Sequence, residues 1–111
     1  MRVISQDGTM DVPYEISSFS MAVGKYENVE HAVIFCYNYS TSMGTKMAEY
    51  GSKGKAKKAM EMLRIVYENN EFYHHTSNSE HFTEFAKSLS EEMFKKATSE
   101  YFQFPTEEEL E

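Results

Sequence analysis

The sequence has no tryptophan, one cysteine, two prolines and only 11 basic residues. A single cysteine excludes an internal disulfide, and Cys36, inside the apolar run AVIFCY, is typical of a small buried residue rather than a nucleophile. The opening residues MRVISQDG lack the apolar region of a signal peptide. No segment reaches the ~18 apolar residues of a membrane span. These absences predict a cytoplasmic protein with no membrane segment, in a reducing compartment.

The shortage of basic residues gives the chain a formal net charge of −7. This charge argues against duplex nucleic acid as the main partner, because such binding depends on cations that neutralise phosphates. The hydrophobic content of 41% supports a folded core, and 111 residues fit a single domain. We therefore expect one compact domain over residues 1–111, in which a small anion could still bind at a local basic site.

The first half of the sequence has the patterns of β-strands. Phe19, Met21 and Val23 alternate with small residues, which predicts a half-buried strand. Asp7-Gly8 is a turn signal, and Gly24–Glu30 is interpreted as a polar connection. Residues 1–50 are thus predicted to form an antiparallel β-meander of about four strands. The predicted extended segments are Arg2–Ser5, Met10–Glu15, Ile16–Val23, His31–Tyr39 and Thr45–Tyr50.

The second half has helical patterns. Apolar residues recur at helical spacing from about Lys53 to Asn69, and Phe72–Asn78 is interpreted as a loop. Ser77 and Glu80 form a capping box for a second helix that ends near Ser99. The prediction is an α+β fold with two helices, over residues 51–99, on one face of the sheet, followed by an extended acidic tail over residues 100–111.

The start of the first helix collects the positive charge. Residues 44–66 contain six basic and two acidic side chains, whereas the rest of the chain contains five and sixteen. A helix N-terminus attracts anions through its free N–H groups and its dipole. Lys53, Lys57 and Arg64 share one narrow stripe at the rim of the apolar face, and Lys55 lies in the same first turn. These four cations are the candidate anion site; the alternative is a solvated helix face.

Aromatic residues are abundant, with eight tyrosines and eight phenylalanines. Tyr50 precedes the helix start, and Tyr101, Phe102 and Phe104 cluster near the end of the chain. These four rings are candidates for stacking on a nucleotide base. The alternative is that they are core residues.

No motif indicates catalysis, a metal or a cofactor. His74, His75 and His81 match no zinc spacing, and no cysteine accompanies them. The segment Gly51–Lys55 lacks the spacing of a phosphate-binding P-loop. We predict neither a metal site nor a catalytic group.

Additional apolar residues suggest self-association. Met62 and Ile65 lie off the main stripe of the first helix, and Phe94 lies off that of the second. Such residues are typical of an oligomer contact, although scattered surface apolar residues are also common. We expect a homodimer or a larger even-numbered oligomer.

Three stretches resemble a group of small proteins encoded by phages and prophages of Gram-positive bacteria. They are RVISQDGTMDVPYE, KAKKAMEML, and FQFP followed by acidic residues, about a third of the chain. Within that group the sequence is similar to the first type of Thoeris anti-defence proteins. The resemblance implies a sponge that binds cyclic ADP-ribose isomers, with cyclic oligonucleotides at a separate site in some members, and ligand sites where protomers meet. It assigns no ligand residue here.

The sequence leaves three functional hypotheses. The first is a phage anti-defence protein that sequesters an anionic cyclic nucleotide signal without cleaving it. The second is an acidic inhibitor that binds a host defence protein. The third is an enzyme that degrades a nucleotide signal.

Overall fold

A computed structural model describes residues 1–38, 41–76 and 101–110. Short 3₁₀ helices occur at Tyr14–Ile16 and Glu108–Leu110. The remaining elements are β1 (Arg2–Ile4), β2 (Asp11–Pro13), β3 (Ser18–Tyr26), β4 (Val29–Asn38), β5 (Thr41–Tyr50), α1 (Lys53–Thr76) and β6 (Tyr101–Gln103).

The six strands form two three-stranded sheets, so the prediction of one four-stranded meander is wrong. The larger sheet is antiparallel with the order β3-β4-β5. The smaller sheet has the order β2-β1-β6, in which β1 pairs antiparallel with β2 and parallel with β6. Val3 lies opposite Phe102 in the parallel pair. β1 and β2 are therefore not part of the sheet that contains β3, β4 and β5, because β1 pairs with β2 on one side and with the distant β6 on the other.

The described residues contain one long α-helix, where two helices were predicted. Its 24 residues pass through Asn69 and continue to Thr76, so the loop predicted from Phe72 begins too early. Asn70 is buried in the last turns. The predicted second helix, over residues 77–99, lies outside the described residues, as do His81 and Phe94. Within the described part of the chain, α1 is not apolar enough to cross a membrane.

A two-residue turn joins β3 to β4. Tyr26 pairs with Val29, and the intervening Glu27 and Asn28 have φ angles of 51° and 67°. Positive φ at both central residues defines the turn type whose twist matches a β-hairpin. The predicted polar connection over Gly24–Glu30 is therefore wrong, because both strands continue to this tight turn.

The core lies between the larger sheet and α1. Ala32, Ile34 and Cys36 alternate along β4 and are fully buried, as expected for a strand with one face on a helix. Ala56 and Leu63 are buried on the facing side of α1. Helix α1 packs over β4 and β5 and leaves the inner face of β3 less covered.

The residues after β6 pack on this core. Phe104 and Leu110 are buried, and the Phe104 N–H donates a hydrogen bond to the Ile4 carbonyl at 3.1 Å. The predicted extended conformation of residues 100–111 is confirmed at Tyr101–Gln103. It is wrong for residues 108–110, which form a 3₁₀ helix whose Leu110 is buried against the body of the protein.

Candidate functional site

A groove of about 880 Å³ lies between β3, the Tyr14–Ile16 turn and α1, where the helix leaves the sheet uncovered. We call it the β3–α1 groove. Phe19 and Met21 contribute its floor because they are on the inner face of β3. The described residues that line it are Tyr14, Glu15, Ser17, Phe19, Met21, Lys57, Met60, Glu61, Leu63, Arg64 and Tyr67.

Two cations border the groove from the helix. Lys57 and Arg64 are two helical turns apart, so they lie on the same face of α1. Lys57 makes no ion pair with another described residue. Arg64 Nε lies 3.9 Å from Glu68 Oε1, and both side chains are about two-thirds exposed. Such an exposed pair is weak, so the guanidinium can exchange this carboxylate for a ligand.

An aromatic stack forms one wall. The rings of Tyr14 and Tyr67 are stacked with centroids 4.0 Å apart and an interplanar angle of 26°. Phe19 continues the stack at 6.0 Å from Tyr14. Burial, and then the neighbouring carboxylates Glu71 and Glu15, raise the pKa of Tyr67 above its ordinary value. The wall is therefore a neutral surface suited to a planar ring.

Two carboxylates also line the groove. Glu15 accepts a hydrogen bond from the Met1 amino group, and this bond lowers the pKa of Glu15. Glu61 lies between Lys57 and Arg64 on the same helix face. The groove thus combines two cations with two carboxylates that can accept hydrogen bonds from hydroxyl or amino groups.

The helix start, which the sequence suggested as an anion site, is occupied by the protein's own carboxylates. Glu30 Oε1 accepts the Lys53 N–H at 2.8 Å, and Glu107 Oε1 accepts the Gly51 N–H at 2.8 Å. The Lys55 ammonium lies 3.3 Å from the same Glu107 oxygen. Of the four predicted cations, Lys57 and Arg64 line the groove. Lys53 and Lys55 lie instead at the helix start, next to Glu30 and Glu107.

The four rings proposed from the sequence do not line the groove. Tyr50 is 1% exposed and donates a hydrogen bond from its hydroxyl to the Pro105 carbonyl at 2.7 Å. Phe102 and Phe104 are 7% and 1% exposed, and their rings meet edge to face. These three are core residues, so the stacking interpretation is corrected for them. Tyr101 is exposed on β6, away from the groove.

Tyr14, Phe19 and Tyr67 line the groove but were not predicted from the sequence to be site residues. Phe19 was predicted only as an apolar-face residue of a strand, and Tyr67 falls within the apolar spacing predicted for the first helix. The available signal was that Tyr67 follows Arg64 by three positions, so both lie on one helix face. No sequence pattern indicated Tyr14, because it lies in a turn and its position beside α1 depends on the tertiary fold.

Of the three helix residues predicted to form an oligomer contact, two lie within the described residues. Met62 is half-buried and packs against the core cluster, so it is not a free surface residue. Ile65 is 45% exposed, and Phe94 is outside the described residues. Self-association stays a prediction.

The contact between Glu107 and the helix start should make stability depend on pH. The Gly51 N–H and then the Lys55 ammonium lower the pKa of Glu107 below its usual 4.5. A carboxylate whose pKa is lower in the folded protein than in the unfolded protein stabilises the fold at pH values above its unfolded pKa. This stabilisation is lost as the pH falls through the folded pKa. At neutral pH we expect the melting temperature of wild type to be higher than that of a Glu107→Gln variant. The difference in melting temperature should disappear as the pH falls below 4.5.

Thermal melts followed by circular dichroism at several pH values measure this gap. Glu108→Gln is the matched control, since Glu108 is the exposed neighbour. A gap that stays constant through the acidic range would contradict an ionic role for Glu107.

Comparison with protein-family models, characterised proteins and solved structures finds no match to this chain. The groove and the sequence resemblance are therefore the two indications of a function.

Proposed function

We propose that this protein binds a small anionic nucleotide in the β3–α1 groove and sequesters it without cleaving it. The observation that carries the proposal is the placement of Lys57 and Arg64 beside the Tyr14–Tyr67 stack in one groove. A volume of about 880 Å³ is within the usual range of small-ligand sites.

Each part of the groove suits one part of a nucleotide. Arg64 can engage two phosphate oxygens at once, and Lys57 adds a point charge on the same helix face. The stacked rings offer a surface for a base. The carboxylates of Glu15 and Glu61 can accept hydrogen bonds from ribose hydroxyls or a base amino group. The charge of the groove residues is balanced, which favours a ligand with both anionic and donor groups over a simple anion.

The sequence resemblance supplies the ligand class and the role. It favours cyclic ADP-ribose isomers, with cyclic oligonucleotides as the next candidates, and a phage anti-defence sponge in the host cytoplasm. A sponge needs cations, stacking surfaces and a formed pocket but no nucleophile. We therefore propose binding and release of the intact molecule, with no catalytic step.

The test is incubation of the purified protein with cyclic ADP-ribose and with a cyclic dinucleotide, followed by removal of free ligand, heat denaturation and chromatography of the supernatant. Recovery of the unaltered nucleotide in stoichiometric amount is the expected result. Recovery of cleavage products would replace the sponge with an enzyme. Recovery of no nucleotide from either incubation would overturn the proposal and favour the protein-binding inhibitor.

A further inference from the structure

Among the described residues, β3 pairs only with β4, so its outer edge has no partner strand in this part of the chain. The two-residue turn makes Tyr26 and Val29 a hydrogen-bonded pair, and such pairs alternate along an antiparallel ladder. Phe19, Met21, Val23 and Lys25 therefore direct their backbone N–H and C=O groups away from β4. No described residue outside β4 hydrogen-bonds to residues 18–26.

The opposite edge of the same sheet is covered. The Gln6 N–H donates to the Met47 carbonyl at 2.7 Å, and the Gln6 side-chain oxygen accepts the Glu49 N–H at 3.1 Å. These bonds attach β5 to the N-terminal segment. Within the described chain, the larger sheet is thus closed at β5 and open at β3.

The open edge lacks the features that usually prevent strand pairing. Natural edges carry prolines, bulges or several charges, or are very short. β3 pairs with β4 through nine consecutive residues without a register shift. It contains no proline, and Lys25 is its single charged residue. An edge of this length and regularity is suited to a further strand.

We propose that β3 pairs antiparallel with β3 of a second copy of this chain, which joins the two larger sheets into one of six strands. The inference is independent of the proposed nucleotide function. Full overlap of the two strands places the two-fold axis at Ala22, so that Met21 faces Val23 of the second copy. Ser20 then faces Gly24 on the outer surface.

The side chains favour a second copy as the occupant. On the inner face Met21 meets Val23, which is 46% exposed in the single chain. On the outer face Ser20 meets Gly24 and Ala22 meets itself, so no bulky side chains oppose one another at the centre of the contact. In this register Lys25 lies opposite Phe19 of the other copy, and Phe19 lines the same groove as Glu15, which carries the opposite charge. This charge complementarity occurs twice, once for each copy, as two-fold symmetry requires.

Light scattering on the full chain at tens of micromolar tests the pairing. We expect a mass about twice 12.9 kDa for wild type. Val23→Pro removes an outward N–H without removing a bond to β4, so it should give a folded monomer. Val23→Thr keeps that N–H and should remain a dimer. A monomeric wild type, or a Val23→Pro variant that stays dimeric, would overturn the proposal.

Cross-linking gives a measurement that does not depend on the proline variant. Ala22 faces itself across the two-fold axis at a non-hydrogen-bonded pair, where Cβ atoms are about 4.5–5.5 Å apart. Ala22→Cys should form an intermolecular disulfide on mild oxidation. Ser20→Cys, equally exposed on the same face, faces Gly24 and should not. The buried Cys36 does not compete. Equal cross-linking of the two variants would exclude this register.

Discussion

A chain that carries both Lys57→Ala and Arg64→Ala is expected to bind an anionic nucleotide about a hundredfold more weakly than wild type, or worse. Each charge-assisted hydrogen bond contributes about 1.5–3 kcal/mol, which is roughly a factor of ten to a hundred in affinity. The two side chains share one helix face on the groove, so a phosphate between them would lose both contacts. Isothermal titration calorimetry with the nucleotide recovered from wild type measures the change.

Two controls make this result specific. Lys58→Ala removes an exposed lysine from the same helix turn, but Lys58 is not a groove residue. Lys53→Ala removes a cation from the helix start. Both should bind within about twofold of wild type, since exposed charges at a distance contribute little. If Lys53→Ala weakens binding as much as Arg64→Ala, the ligand lies at the helix start and the groove assignment is wrong.

The largest expected effect on stability comes from Phe104→Ala. Phe104 follows β6 of the smaller sheet, and its ring lies 6.2 Å from that of Phe19 on the larger sheet and 5.3 Å from that of Phe102. It is 1% exposed, so truncation opens a cavity between the two sheets. We expect the free energy of unfolding to fall by about 3–5 kcal/mol.

Urea unfolding followed by circular dichroism measures this loss. Phe104→Leu is the matched control, because it keeps most of the buried volume and should cost roughly 1–2 kcal/mol. Equal and small losses for both variants would mean that Phe104 does not connect the two sheets. Because Phe19 lies on the floor of the groove, Phe104→Ala should also weaken ligand binding in the fraction that remains folded.

Local patterns predicted some elements well. The segment His31–Tyr39 was predicted to be extended, and the structure has β4 there, in the middle of the larger sheet. The helix begins at Lys53, as its apolar spacing indicated. Lys57 and Arg64 lie on one helix face because helical geometry alone determines which positions share a face, but Lys53 of the same predicted stripe does not line the groove.

Other features could not be read from local patterns. The turn at Glu27-Asn28 contains no glycine, so its positive φ angles were not apparent, although asparagine tolerates them. The pairing of β1 with β6 depends on a partner at the far end of the sequence. The same distance explains why Phe102 and Phe104 were considered ligand-stacking rings. Their burial comes from packing against residues that no spacing rule connects to them.

The parallel pairing of β1 with β6 also determines when this protein can fold during synthesis. β1 leaves the ribosome long before β6 is translated, because the two strands lie at opposite ends of the described chain. The hairpin of β3 and β4 can form early from neighbouring residues, whereas the smaller sheet must wait for the segment that contains β6. That segment also brings Phe104 to the core and Glu107 to the helix start. A nascent chain therefore carries an unfinished core until β6 and the residues after it have been translated.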